Sequence, residues 1–181
     1  MRRWLAAAAA AVALGTAAWV APASAATSPY CGIRWGSLTK TAGTHSQAPI
    51  TNVRAGRHTC YDRLVIDLNG RAPGYRVSYV TQVGQEGSGA VVPLRGGAKL
   101  QIVALAPAYD ASGRSTYRPA NPSELVNVTG FSTFRQVAWA GSFEGQSTVG
   151  LGVRARLPFR VFTLAGPGSG SRLVIDVAHR W

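Results

Sequence analysis

Apolar and polar residues alternate along most of the chain after Ser46, and helical spacing is almost absent. Arg63 to Leu68 is the clearest case: Leu64, Ile66 and Leu68 fall on one side, Arg63, Val65 and Asp67 on the other. A period of two puts successive side chains on opposite faces of a strand, so this segment predicts a strand with one buried face. Thr51 to Ala55 predicts a strand before it. Tyr75 to Val83 predicts one after it, with Tyr75, Val77, Tyr79, Thr81 and Val83 on a common side. Val91-Val92, Lys99 to Ala106, Phe131 to Trp139, Thr148 to Val153, Phe159 to Leu164 and Arg172 to Ala178 bring the count to about nine, with Gly and Pro between them. Short strands at such spacing predict an all-β fold, an antiparallel sandwich or barrel-like sandwich. One segment breaks the pattern. Asn121-Pro122-Ser123-Glu124 has the order of an N-cap, a first-position proline and an acid at the third position, and predicts a single short helix over Pro122 to Asn127.

The chain writes one strand almost twice. RLVIDL (Arg63 to Leu68) returns as RLVIDV (Arg172 to Val177) 109 positions later. The shared Arg-x-x-x-Asp frame has a physical use if the two strands pair antiparallel. Arg63 then falls opposite Asp176 and Asp67 opposite Arg172, giving two cross-strand ion pairs of roughly 0.2–1 kcal/mol each. A second echo sets Tyr75-Arg76-Val77 against Phe159-Arg160-Val161, each an aromatic-Arg-Val strand entry behind a turn with proline (Pro73, Pro158).

The N-terminus changes what counts as the folded chain. Arg2 and Arg3 precede the uncharged apolar run Leu5 to Val20, and Ala23-Ser24-Ala25 follows as a small-x-small cleavage site. This is the layout of a secretory signal peptide over residues 1–25. The run is about 16 residues, short of the roughly 20 that span a bilayer, so no transmembrane anchor is expected. Residues 26–50 then read as an irregular arm and 51–181 as the β-domain. Export permits a disulfide, and Cys31 and Cys60, the two cysteines, predict one. Closing that loop is worth on the order of 3 kcal/mol.

The charge is strongly one-sided: 19 basic residues against 7 acidic, and 17 against 7 once Arg2 and Arg3 are set aside, a net of +10. Only Lys40 and Lys99 are lysine, so the excess is nearly all arginine. A GC-rich genome writes such a bias by default; a surface drawn to polyanions would carry it too. For an exported protein those polyanions are wall polymers or acidic lipid headgroups, and nucleic acid is not expected as a partner.

Catalytic constellations are missing. The histidines, His45, His58 and His179, form no H-x-H or H-E-x-x-H, so no metal and no cofactor are expected. Gly145-Gln146-Ser147-Thr148-Val149 fails the last position of a nucleophile elbow, and Gly150-Leu151-Gly152 lacks the third glycine of a dinucleotide loop. Asp110 and Glu144 lie on predicted loops that could converge as a carboxylate pair.

Three stretches together resemble a known family: HTCYDRLVIDLNGRAPGYRVSYV, FRQVAWAGSFEGQSTVGLGVRARLPFRVFTL and SRLVIDVAHRW. They resemble the AMIN-like domain of secreted actinobacterial proteins, over roughly Val53 to Trp181. That family is distantly similar to the AMIN domain of cell-wall amidases and pilus secretins. The resemblance implies a β-sandwich and a non-catalytic module associated with the cell envelope, through peptidoglycan, an anionic wall polymer or an envelope protein. Candidate contacts are Arg76 and Arg160, at the two strand entries, and Trp139 and Phe143, flanking Ala140-Gly141-Ser142. Three of them also have a structural reading: core packing for Trp139, solvation or pairing with Asp67 and Asp176 for the two arginines. A small secreted hydrolase and a protein-binding or inhibitory domain stand as alternatives.

Overall fold

Eleven strands form among the described residues, 29–181 of the computed structural model. The segment read above as a signal peptide lies outside them. In chain order the strands are β1 (Lys40–Ala42), β2 (Ile50–Arg57), β3 (Tyr61–Leu68), β4 (Tyr75–Val80), β5 (Val83–Gly84), β6 (Val91–Val92), β7 (Ala98–Ala104), β8 (Phe134–Phe143), β9 (Gln146–Val153), β10 (Phe159–Ala165) and β11 (Ser171–Ala178). A five-stranded sheet runs β1-β4-β7-β9-β8, a four-stranded sheet runs β10-β11-β3-β2, and β5 and β6 make a small ribbon. All pairings are antiparallel, and neither large sheet closes into a barrel.

Alternation explains the sandwich. Leu64, Ile66 and Leu68 of β3 join Leu173, Ile175 and Val177 of β11 in one buried cluster with Val77, Leu100, Ile102, Val149 and Leu151 of the five-stranded sheet. Each such side chain contributes about 1.5–3 kcal/mol when fully removed from water. The opposite faces of the strands carry the charges.

The echoed strands are neighbours at the centre of the four-stranded sheet. Arg63 pairs with Asp176, Val65 with Val174 and Asp67 with Arg172, the antiparallel register that the repeat predicts. The aromatic-Arg-Val entries also meet. β3 leads into β4 by crossing to the five-stranded sheet, and β9 leads into β10 by crossing back. Across the sandwich edge the Tyr75 hydroxyl donates to the Val161 carbonyl at 3.2 Å. The Tyr79 hydroxyl donates to the Leu157 carbonyl at 2.6 Å and accepts from the Leu157 amide at 2.9 Å.

The arm before β2 is anchored at several points. The Cys31–Cys60 disulfide is present, with Cα atoms 6.4 Å apart. Cys31 takes a left-handed backbone (φ 53°) inside the 3₁₀ turn Tyr30–Gly32, a conformation costing a non-glycine residue roughly 1–2 kcal/mol. Farther along, Phe159 donates its amide to Gly36 at 2.8 Å, and β1 adds to the edge of β4. At the other end of the domain the buried Asp62 carboxylate accepts from the Thr133 and Phe134 amides and lies 3.1 Å from His179 Nε2. That carboxylate ties β3, the start of β8 and the end of β11 together.

Two expectations are corrected. Pro122 to Asn127 is not helical: the segment is a turn, with the Ser123 amide on the Asn121 side chain. Its backbone groups serve β8 instead. The Leu125 amide donates to Val137, and the Trp139 amide donates to Pro122. Glu124 pairs with Arg95 rather than capping the turn. The second correction is at Thr81, where the strand from Tyr75 ends after Val80 and the chain leaves for β5. From Val83 to Gly97 it lies over the outer face of β9. That contact is why β9 carries Gly150 and Gly152. A Cβ on Gly150 would fall 2.7 Å from Leu94, and one on Gly152 would clash with the Arg95 carbonyl. Gly150-Leu151-Gly152 is thus a groove for a crossing segment.

Candidate functional site

The outer face of the four-stranded sheet displays what alternation left out of the core. β10 contributes Arg160 and Phe162, β11 Arg172 and Asp176, β3 Tyr61, Arg63 and Asp67, and β2 Arg54. The face therefore has two poles about a centre at Val65 and Val174, each built round one aspartate.

At the first pole Asp176 is fully buried and shared by two arginines. Arg63 donates Nε to Oδ1 at 2.6 Å and Nη2 to Oδ2 at 2.9 Å, and Arg160 donates Nε to Oδ2 at 2.8 Å. Hydrogen bonding to Asp176 raises the Arg63 guanidinium still further above its ordinary value, against a smaller opposing effect of burial. Aromatic rings wall the ions in. Arg160 lies 5.5 Å from the Trp35 ring, 5.3 Å from Tyr61 and 5.1 Å from Phe162. Arg63 lies 5.2 Å from Tyr61 and 5.5 Å from Phe162. Two cations on one anion leave the pole with a charge of +1.

The second pole is open. Asp67 is 22% exposed and is held by Arg54, with Nε to Oδ2 at 2.8 Å and Nη2 to Oδ1 at 3.0 Å. Arg172 stands opposite Asp67 in the register but does not bond it; it donates Nη2 to the Ala165 carbonyl at 2.9 Å. The sequence-predicted Asp67–Arg172 pair is therefore replaced by Asp67–Arg54, because β2 supplies a two-pronged partner from the other side.

Beside the first pole the arm and the C-terminal end enclose a cleft of about 960 Å³, lined by Tyr30, Arg34, Trp35, Pro158, Arg180 and Trp181 among others. Its rings are fixed by their N–H groups. Trp35 Nε1 donates to the Tyr30 carbonyl at 2.8 Å, and Trp181 Nε1 to the Arg156 carbonyl at 3.2 Å. Arg180 lies 4.8 Å from the Tyr30 ring.

The four residues predicted from sequence do not converge. Arg160 belongs to the first pole. Arg76 is exposed on β4 in the other sheet. Trp139 packs against the core, edge-on to Tyr117 at 5.2 Å. Phe143, 50% exposed, sits at the end of β8 past a bulge, over Gly87. What sequence reasoning missed is the aromatic wall, Trp35, Tyr61 and Phe162, and the cleft residues Tyr30, Arg34, Arg180 and Trp181. The disulfide was the available signal for the first of these: joining Cys31 to Cys60 brings Trp35 to Tyr61, whose ring centroids are 5.9 Å apart.

The carboxylates are nearly all engaged. Asp67 and Asp176 are accounted for above, Asp110 pairs with Arg114, Glu124 with Arg95 and Asp62 with His179. Glu86 accepts from Gln146 and Thr148. The loops of Asp110 and Glu144 do converge, through the Gly145 amide donating to the Tyr109 hydroxyl at 2.9 Å. Asp110, however, accepts from the Arg114 and Ser112 amides and the Arg114 guanidinium. The Arg114 amide above all, against a smaller effect of burial, holds its carboxyl below the usual range, the wrong direction for a general acid. Among the described residues no group of three or more His, Cys, Asp or Glu is placed to hold a metal, and no helix is long and apolar enough to cross a membrane.

A family model for the AMIN-like domain matches residues 48–179. No curated protein and no solved structure matches the chain.

Proposed function

Since the chain belongs to the AMIN-like domain family, we propose that it is an exported, non-catalytic module that associates with the cell envelope by holding an anionic wall polymer. Family membership supports the envelope, and the Cys31–Cys60 disulfide supports an oxidising compartment outside the cytoplasm. The observation that carries the choice of ligand is the imbalance of paired and unpaired charge. Five arginines, Arg54, Arg63, Arg95, Arg114 and Arg160, are engaged by carboxylates. Of the 17 basic residues from position 29 onward, that leaves 12 without an ion-pair partner among the described residues. Against them stand two carboxylates without a cationic partner among the described residues: Glu86, which accepts from Gln146 and Thr148, and Glu144, which is exposed. A surface of this kind attracts a polyanion over its whole extent, and arginine suits carboxylate and phosphate by two-pronged hydrogen bonding.

The test is retention of the purified protein on isolated sacculi, with and without their anionic polymers. Binding at low salt that falls as the Debye length shrinks from about 10 Å at 0.1 M to about 3 Å at 1 M is the expected result. No retention at low salt on either preparation would overturn the proposal.

A further inference from the structure

The cleft beside the first pole is built almost wholly from chain outside the family match. Tyr30, Arg34 and Trp35 precede residue 48, Arg180 and Trp181 follow residue 179, and of the cleft's lining only Pro158 falls within the matched span. Two flanks that lie outside the AMIN-like match come together at one place. The Cys31–Cys60 bridge holds the first, and the Trp181 indole bond to Arg156 holds the second.

We propose that this cleft is a saccharide site, specific for a sugar that carries a carboxylate. The assignment deepens the wall-polymer reading and rests on it. Three rings line the space, and two of them, Trp35 and Trp181, have their indole N–H groups already bonded to backbone carbonyls. Their polar edges are satisfied and their ring planes fixed before any ligand arrives, which lowers the entropy cost of binding. Arg180 stands over the Tyr30 ring and Arg160 beside Trp35, so the open face of Trp181 is the one offered to the C–H side of a pyranose ring. Trp181 is 70% exposed, so its ring is accessible to a ligand. The charge supplies the second half of the selection. Arg34 and Arg180 line the cleft, no acidic side chain does, and neither arginine has an ion-pair partner among the described residues. A neutral glycan would leave both guanidinium groups unanswered. A phosphate chain would answer them and leave the rings bare. A carboxylated sugar meets both. The volume, about 960 Å³, is at the upper end of the range for small-ligand pockets and accommodates a short oligosaccharide.

The experiment is tryptophan fluorescence titration of the purified oxidised protein with four probes: a hyaluronan tetrasaccharide (rings with carboxylates), chitotetraose (rings alone), poly-glutamate (carboxylates alone) and inorganic phosphate. The tetrasaccharide is expected to bind at least about tenfold more tightly than the other three, the scale of losing one well-placed anchor. Trp181→Ala and Arg180→Ala are expected to weaken it by about as much, and Ser88→Ala, in the exposed turn between β5 and β6, to leave it unchanged. Equal affinity for chitotetraose and the charged tetrasaccharide would overturn the proposal, as would tetrasaccharide binding that survives Trp181→Ala. Sacculus retention separates the two levels. Retention by Trp181→Ala together with unaltered tetrasaccharide affinity removes the cleft and spares the envelope assignment. Failure of the unaltered protein to be retained removes the envelope assignment itself.

Discussion

Asp176 and Asp67 hold the same place in the same repeated frame, on adjacent strands of one sheet face, yet their surroundings differ. Asp176 has lost all contact with water and is gripped by Arg63 and Arg160 inside a ring of Trp35, Tyr61 and Phe162. Asp67 keeps part of its surface in solvent and has one arginine. The difference does not come from the motif, which supplies an arginine across the strand in both cases. It comes from what flanks the pair. β10 brings Arg160 and Phe162 to one pole, and the disulfide-held arm lays Trp35 on top. β2 brings Arg54 and, at 3.5 Å, the Asn52 amide to the other, and among the described residues no arm covers it. Burial by neighbours, more than ion pairing itself, converts a surface salt bridge into a structural centre.

The largest test of that contrast is Asp176→Asn. It leaves two guanidinium groups in a half-buried aromatic setting without their anion, and a loss of about 3–5 kcal/mol is expected in urea unfolding. Replacing Cys31 and Cys60 together by serine frees the arm and is expected to cost about 2–4 kcal/mol. Its effect on the poles should be unequal: added to Asp176→Asn it should give less than the sum of the two, and added to Asp67→Asn the full sum. Trp35→Ala, which removes the ring over Arg160 but keeps the bridge, should cost about 1–2 kcal/mol. Asp67→Asn, at the open pole, should cost less than about 1 kcal/mol and vanish at high salt. A cost at Asp67 equal to that at Asp176 would end the comparison.

The smallest effect is optical. Burial pushes the Tyr79 phenol up to about 12, against lesser opposing effects of the Leu157 amide, which donates to the phenol oxygen, and of Arg156. The folded protein therefore holds that proton more tightly than the unfolded chain, whose phenol titrates near 10. The resulting stability is complete below pH 10 and is lost as the pH climbs toward 12. In an alkaline absorbance titration at about 295 nm one tyrosine should ionise late, and Tyr79→Phe should remove that late step.

The sheet faces were legible because alternation is a local signal. Leu64, Ile66 and Leu68 announce a buried side regardless of which strand lies next to them. The register of β3 on β11 was legible for a rarer reason, that complementary charges were repeated at matching spacing. Asp67 shows where this stops. Its cross-strand arginine was foreseen and its actual partner, Arg54, was not, because a strand has two neighbours and the repeat describes one. The turn at Asn121 shows a different limit. Its capping residues are real, but the backbone amides that a helix would use are claimed by β8, and no local pattern reports that claim. The cleft was invisible for a third reason: Tyr30 and Trp181 are about 150 positions apart, and no periodicity links them.

The order of strands in the four-stranded sheet governs how the molecule can be put together. β11 is the last of the described strands in sequence order, and it lies between β10 and β3. While the chain emerges from its N-terminus, β2 and β3 can form no more than a hairpin, with one edge waiting for residues not yet made. The sheet cannot close, nor can Asp176 meet Arg63, until synthesis has passed Ala178. Such dependence on distant partners belongs to slow-folding topologies, on the scale of milliseconds to seconds. Deletion of Ser171 to Ala178 would take out the middle of the sheet and leave β10 only its bridge from Phe159 to Gly36.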